Sequence, residues 1–507
     1  MSAAFRTLGR MISILWVVLR YDLLVFMDFP GGELLSKVFA RKTSARTGVR
    51  LSSALAELGP TFIKLGQALS TRADLVGEET AADLAELQDQ LAPFPGEQAV
   101  RIVERELGIP LTKAYQAFDL TPVAAASIAQ VHFAVTTDGE DVAVKILRPG
   151  VERAFHRDLE MLSRLARWTD ALCPSVRRLK LVEVVETLAQ SVELEMDLRF
   201  EAAAAAEMAE NFVGDESFRI PAVDWTRTAR RVLTLERVIG QPVDERETLT
   251  AQGHDMTEIL RKAAQAFFNM VFRDGFFHAD LHPGNLFVDA SGNLVAVDFG
   301  IMGRVDMQTR HFLAEMLIGF LTGNYRKVAE IHFQAGYVPA HKSLDAFSQA
   351  IRSVAQPILG KPMHEISVAR LLGQLFEVTE TFAMETQPQL LLLQKSMLVA
   401  EGIGRRLDPT INMWELARPL IQTWVRQNMG VKARVRTTIT GLAQTLERLP
   451  RLLDMAEQSL MDAQQGGIRL HPETVHKALN SRRSGPSIWF WLSWIITAAL
   501  ALTLVLK

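Results

Sequence analysis

Hydrophobic residues along the chain follow two periods, and the places where one gives way to the other divide it into units. From 51 to 110 the apolar positions recur at helical intervals interrupted by Pro60, Pro93 and Pro95, so helices are predicted between those breaks. Around Ser127–Val135 and again at Asp141–Leu147 the pattern alternates, with Asp138 and Gly139 between the runs, which predicts a β-hairpin. Helical spacing returns over 151–212, including the alanine run 202–206, and Arg231–Glu236 (RVLTLE) reads as another short strand. A long helix over about 256–274 leads into a loop and a second hairpin, NLFV then ASGN then LVAVDFG. From 306 onward almost every apolar position keeps a helical period. The expected class is α+β and helix-rich.

The two ends of the chain depart from a globular pattern. From Ile488 to Leu506 there are 19 residues without a charge, which is long enough for a bilayer-spanning helix. Trp489, Trp491 and Trp494 crowd its start and Arg482 and Arg483 precede it, a flank that places the body of the protein on the cytoplasmic side. Upstream, 434–463 sets Leu442, Leu446, Leu449 and Leu453 three and four apart, an amphipathic helix, and 464–486 is a polar linker. At the other end, 11–27 is apolar but broken by Arg20 and Asp22 and lacks a small-residue cleavage pattern, so it reads as an amphipathic interfacial or docking helix rather than a signal peptide.

Composition narrows the function classes. At 507 residues the chain has room for about three units. Lys+Arg 55 against Asp+Glu 58 leaves a formal charge of -3, which argues against nucleic-acid binding through bulk positive charge. The single cysteine, Cys173, rules out an internal disulfide framework or thiolate cluster and points to a reducing compartment.

The chemistry-bearing residues cluster in the second hairpin. His278-Ala279-Asp280-Leu281-His282-Pro283-Gly284-Asn285 is followed by Asp298-Phe299-Gly300, with five residues from Asp280 to Asn285 and eighteen from Asp280 to Asp298. Phosphoryl transfer from ATP needs metal-held phosphates and a carboxylate beside the nucleophile, and kinase-like folds supply them from such a loop and such a DFG. On that pattern Asp280 is the catalytic carboxylate, and Asn285 and Asp298 hold Mg2+. Upstream, alternation in Val142-Ala143-Val144-Lys145-Ile146 puts Lys145 beside Ala143 on one face, where the ammonium reaches nucleotide phosphates. Glu236 ends the RVLTLE strand where a hinge would meet the adenine edge, with its backbone mattering more than its side chain. Where kinases carry a GxGxxG turn, this chain reads Pro122-Val123-Ala124-Ala125-Ala126-Ser127-Ile128-Ala129-Gln130. Alanine confines that loop to negative φ and adds methyl groups where phosphates approach, so nucleotide geometry should differ from that of ordinary protein kinases.

With these motifs the chain resembles the UbiB family of atypical protein-kinase-like proteins, which serve ubiquinone (coenzyme Q) biosynthesis. The resemblance rests on Lys64-Leu65-Gly66-Gln67 (KxGQ), the alanine-rich loop, Glu195-Met196-Asp197 (ExD) with Glu201 following, and HADLHPGN with VDFG, and it covers about 50–305. It implies that a helical extension folds over the active site with Lys64 facing the ExD acids, Lys64 and Gln67 sharing a helix face. Glu195 and Glu201 on one helix would point roughly 120° apart. Glu201 is therefore expected to pair with Lys145, and Glu195 with Asp197 to serve Lys64.

The expected plan is an atypical protein-kinase-like two-lobed fold: an N-terminal docking segment (1–50), a KxGQ extension (51–115), a kinase-like domain (small lobe about 116–240, large lobe about 241–430), an amphipathic helix and linker (431–486), and a transmembrane helix (488–506). No APE-like segment follows Gly300, so phosphorylation of peptides is not expected. The resemblance implies a membrane-anchored, ATP- and Mg2+-dependent ATPase required for ubiquinone synthesis, in contact with membrane lipid or isoprenoid quinone precursors and other quinone-biosynthesis proteins, with a homodimer also admissible. It places the protein at the bacterial inner membrane, or the mitochondrial inner membrane in a eukaryote. A small-molecule or lipid phosphotransferase and a nucleotide-gated scaffold stay open as alternatives.

Overall fold

The computed structural model describes residues 3–23, 46–70, 76–85, 87, 91–172, 181–215, 217–357, 387–408, 419–424 and a few positions between 374 and 384. It begins with α1 (Ala3–Arg20), α2 (Thr47–Leu58), α3 (Pro60–Ser70) and α4 (Glu78–Ala85). Gly59, at a φ of 95°, ends α2, and Pro60 opens α3, since glycine tolerates that φ and proline needs no amide partner in a first turn. Leu55, Leu58, Phe62, Ile63 and Leu84 form the core of this extension, joined by Val17 of α1. Arg10 fixes α1 in place, with Nη2 2.7 Å from Asp158 Oδ2. The N-terminal helix therefore docks by one face, while Ile12, Leu15 and Trp16 stay exposed on it.

The next helix, α5 (Gly96–Leu107), buries Ala99, Ile102 and Val103 against Val142, Val144 and Ile146 of the sheet. This helix, which the expected plan assigns to the extension, therefore packs on the small-lobe sheet. The sheet contains β1 (Tyr115–Phe118), β2 (Ala124–Ala125), β3 (Ala129–Thr136), β4 (Asp141–Leu147) and, after the β5 strand (Phe218–Arg219), β6 (Val232–Glu236). Its order is β1-β3-β4-β6 with β2 on β3. Val142, Val144 and Ile146 are buried and Lys145 faces the other side, as the alternation requires.

Between β4 and β5 run α6 (Val151–Leu172), α7 (Leu181–Glu195) and α8 (Leu198–Asn211). The sequence pattern merges α7 and α8 into one helix, but the backbone breaks between them. Asp197 is extended at φ -128° and ψ 95°, and its side chain accepts from the Arg199 N–H, an N-cap that starts α8 afresh.

The large lobe carries a four-stranded sheet of order β5-β10-β9-β7, with β7 at Gln241–Pro242. Helix α9 (Met256–Phe268) ends in a π-helical turn, Asn269–Asp274, rather than continuing to 274. Then come β8 (Phe276–His278), β9 (Leu286–Val288), β10 (Leu294–Ala296) and β11 (Met302–Arg304), the last pairing with β8. Helices α10 (Met307–Leu321), α11 (Tyr325–Gln334), α12 (Leu344–Ala355) and α13 (Pro388–Leu407) follow. Among the described residues no helix is long and apolar enough to cross a membrane. The segments 434–463, 464–486 and 488–506 lie outside the described residues.

Candidate active site

Four elements converge on the cleft between the lobes. Lys145 from β4 places Nζ 2.7 Å from Glu201 Oε1 on α8 and 3.0 Å from Asp298 Oδ1. Glu201 is buried because Ala202 and Ala205 let α8 lie close to the sheet, whereas the Asp298 side chain is 46% exposed to the cleft. Asp298 adopts a φ of 61°, an uncommon value for a non-glycine residue, and its Oδ1 also accepts from Gly300 N. Phe299 beneath it is buried and meets the His278 ring edge-on.

Charge and burial act against each other here. Burial pushes Glu201 up to about 7, with Lys145 opposing it. Burial pulls the Lys145 pKa down, but the carboxylates of Asp298 and Glu201 hold it above the ordinary lysine value. Partial desolvation within the cleft also raises Asp298, and Lys145 reverses the balance, leaving that carboxyl well below the usual range. The result is a cation clamped between two acids.

Asp280 lies on the loop after β8, shaped by local hydrogen bonds. Its N–H donates to His278 Nδ1 and its carbonyl accepts from Asn285 Nδ2. His278, fully buried, donates through Nε2 to Val297 O, which fixes its tautomer and ties the loop to the residue before Asp298. With its Nδ2 so engaged, Asn285 keeps its side-chain oxygen for a cation. An oxygen pair from Asn285 and Asp298, completed by phosphates, is the donor set that Mg2+ takes beside ATP. Among the described residues no three His, Cys, Asp or Glu side chains cluster as a metal cage.

The alanine-rich loop divides in two. Pro122, Val123, Ala124, Ala125 and Ala126 are exposed or half-buried, and none of the loop residues has a positive φ. Ser127, Ile128, Ala129 and Gln130 are buried. Gln130, read from sequence as a nucleotide contact, instead bonds both Phe94 N and Phe94 O and meets His132 Nε2, so its side chain belongs to the small-lobe interior. Arg148 holds the loop from the other side, donating to the carbonyls of Ala126, Ala92 and Leu91. Glu236 turns its carboxylate to Arg219 at 2.7 Å, and its N–H donates to Ala222 O.

The extension closes on the same region. Lys64 Nζ lies 2.7 Å from Glu195 Oε2, with side chains only 11% and 9% exposed. Asp197 is engaged elsewhere: Arg199 Nη2 pairs with it at 2.6 Å and holds it below the ordinary carboxylate range, so the expected service of Asp197 to Lys64 gives way to a capping role. Gly66 admits close packing, since a Cβ there would come within 2.7 Å of Leu87 and 2.8 Å of Leu55. Gln67 is half-buried on α3, and its carbonyl accepts from Ser70 Oγ. One side chain at the site had no signal in the sequence: Lys395 of α13 reaches Asp280 Oδ1 at 2.8 Å.

The chain matches the ABC1 atypical kinase-like domain over residues 86–332 and the UbiB helical domain over 351–412. A Marinobacter nauticus protein named "Probable protein kinase UbiB" is 38% identical over 91% of this chain and 86% of its own length. Its Azotobacter vinelandii namesake is 41% identical over 83% of this chain and 79% of its own. Among solved structures, Rv3197 of Mycobacterium tuberculosis, determined in complex with erythromycin, matches with a TM-score of 0.53 and 26% identity, covering 77% of this chain and 97% of that one. With a kinase-like cleft built from Lys145, Glu201, Asp280, Asn285 and Asp298, and relatives of this likeness along nearly its whole length, the chain belongs to the UbiB family of atypical kinase-like proteins.

Proposed function

We propose that the protein is a membrane-anchored, ATP- and Mg2+-dependent ATPase that serves ubiquinone biosynthesis. The observation that carries this reading is the Lys145 clamp: one ammonium within 3.0 Å of both Glu201 and Asp298, on the cleft that also presents Asp280 and Asn285. In this reading Lys145 binds the nucleotide phosphates, Glu201 orients Lys145, and Asp280 orients the attacking water. Asn285 and Asp298 would hold Mg2+, which when bound neutralises charge developing on the transferring phosphoryl group. The backbone of Pro122–Gln130 and of Glu236 would line the nucleotide. The extension, held by Lys64 and Glu195, would regulate access.

Two features favour water over a peptide as the acceptor. The extension core closes on the small lobe, and only Ile301–Asp306 separates Gly300 from α10. That leaves little chain on which to lay a peptide. The apolar segment 488–506 supports an anchor in a bacterial inner membrane, where isoprenoid precursors and the other quinone enzymes would be met.

The test is quinone profiling of a deletion strain complemented with wild type and with Asp298→Asn, beside ATP hydrolysis by both purified proteins. The expected result is that deletion abolishes ubiquinone, wild type restores it, and the variant restores neither ubiquinone nor hydrolysis. Normal ubiquinone in the deletion strain would overturn the pathway. A variant that rescued ubiquinone without hydrolysis would overturn the ATPase and favour the scaffold.

A further inference from the structure

The carboxylate of Asp280 is oriented from outside its own loop. The loop fixes the Asp280 backbone through His278 and Asn285 but gives the side chain no close cation. The nearest candidate on the loop, His282, has Nε2 4.0 Å from Oδ2, beyond hydrogen-bond range. The ammonium that does reach the carboxylate comes from α13, in the segment that matches the UbiB helical domain and lies beyond the kinase-like match. That helix is seated on the large lobe by several contacts. Ser396 Oγ lies 3.5 Å from His278 O, Arg406 Nη1 lies 2.9 Å from Asp244 Oδ2, and Leu407 is fully buried. Lys395 and Asp280 are 31% and 27% exposed, so the pair sits at the edge of the cleft and not on open surface.

We infer that Lys395 is a positioning residue for Asp280, and that the helical domain thereby completes the catalytic centre instead of being appended to it. The ammonium anchors Oδ1 and leaves Oδ2 to orient the nucleophile. It also offsets the carboxylate's charge beside an incoming polyphosphate. This inference rests on the reading of the site as one that turns over ATP.

The experiment uses the full-length protein. Lys395→Met is expected to lower kcat for ATP hydrolysis at least about tenfold, as loss of orientation at a reacting centre does, while KM for ATP stays within about twofold because Lys145 and Asp298 are untouched. Lys395→Arg is expected to recover most of kcat, since a guanidinium also donates to Oδ1. An unchanged kcat in Lys395→Met, or no recovery with Lys395→Arg, would overturn the inference. A second readout does not depend on activity: acylation of Lys395 by an amine-reactive ester, followed by mass spectrometry, should quicken several-fold in Asp280→Asn. Equal labelling in the two proteins would show that the pair does not form. A wild type that hydrolyses no ATP while its Lys395 is protected would sink the ATPase reading and leave the contact standing.

Discussion

Removal of the Lys64 ammonium is the perturbation that most directly probes how the extension is held. Lys64→Met leaves Glu195, only 9% exposed, facing a methyl group where a cation stood at 2.7 Å. At that separation the attraction is about 6 kcal/mol for an effective dielectric near 20, and most of it offsets the desolvation of two ions. Removing one partner of such a pair costs about 3–5 kcal/mol, because the other charge is stranded. The extension should bear that loss, since both ends of the pair bind α3 to α7. A cost of about 3 kcal/mol multiplies the open population by a factor on the order of 10². Amide exchange in Phe62–Leu69 should accelerate accordingly. Adding Glu195→Gln to Lys64→Met removes the stranded charge, so the double variant should regain about 2 kcal/mol and exchange more slowly than the single one. Exchange in Lys64→Met equal to wild type, or faster still in the double variant, would refute the account of the pair as the clasp of the extension.

Gly303 lies opposite Phe277 in the β8–β11 pair, and a Cβ there would overlap the buried phenyl ring. Gly303→Ala should cost about 1–3 kcal/mol, read as a lowered urea midpoint, and an unchanged midpoint would contradict that packing. The buried histidines should also lower stability on acidification below about pH 6.5, against a smaller opposing gain from Glu201, whose raised pKa lets the folded chain take up a proton first. His132, His278 and His332 all have pKa values lowered by burial, so the unfolded chain takes up protons first as pH drops. Each contributes a loss of up to about 1.4 kcal/mol per pH unit until its own folded-state pKa is reached, and equal melting temperatures at pH 7.5 and pH 5.5 would exclude it. Arg148→Lys should loosen the alanine-rich loop, because one ammonium cannot reproduce a guanidinium that serves three carbonyls. Faster amide exchange at Ala124–Gln130 is the check.

The sequence reading recovered what depends on local period and fixed spacing. The β3–β4 hairpin and the order Asp280, Asn285, Asp298 follow from such patterns, whereas the pairing of Lys145 with Glu201 rests on the family resemblance, because the helix break before Glu201 removes the single-helix angle between it and Glu195. The break between α7 and α8 escaped because alanine and leucine on both sides keep a helical period, although Asp197 ahead of an alanine run is itself a cap signal. Gln130 was misplaced because spacing cannot tell whether a polar side chain at a strand start faces the cleft or the interior. Lys395 could not have been found by pattern, since it meets Asp280 across 115 positions and sits in an otherwise ordinary helix.

The stretch from Ile301 to Asp306 has little slack. Three of its residues are bound into β11, and Asp306 caps α10 through the Thr309 amide. Kinases that are switched by ordering a long flexible segment after DFG need chain to spare at this point. Here that length is spent on a strand and a cap, so a phosphorylated activation segment has no place to form. If the cleft turns over ATP as proposed, control would enter instead from the two flanks of the fold, through the extension that carries Lys64 or the helix that carries Lys395.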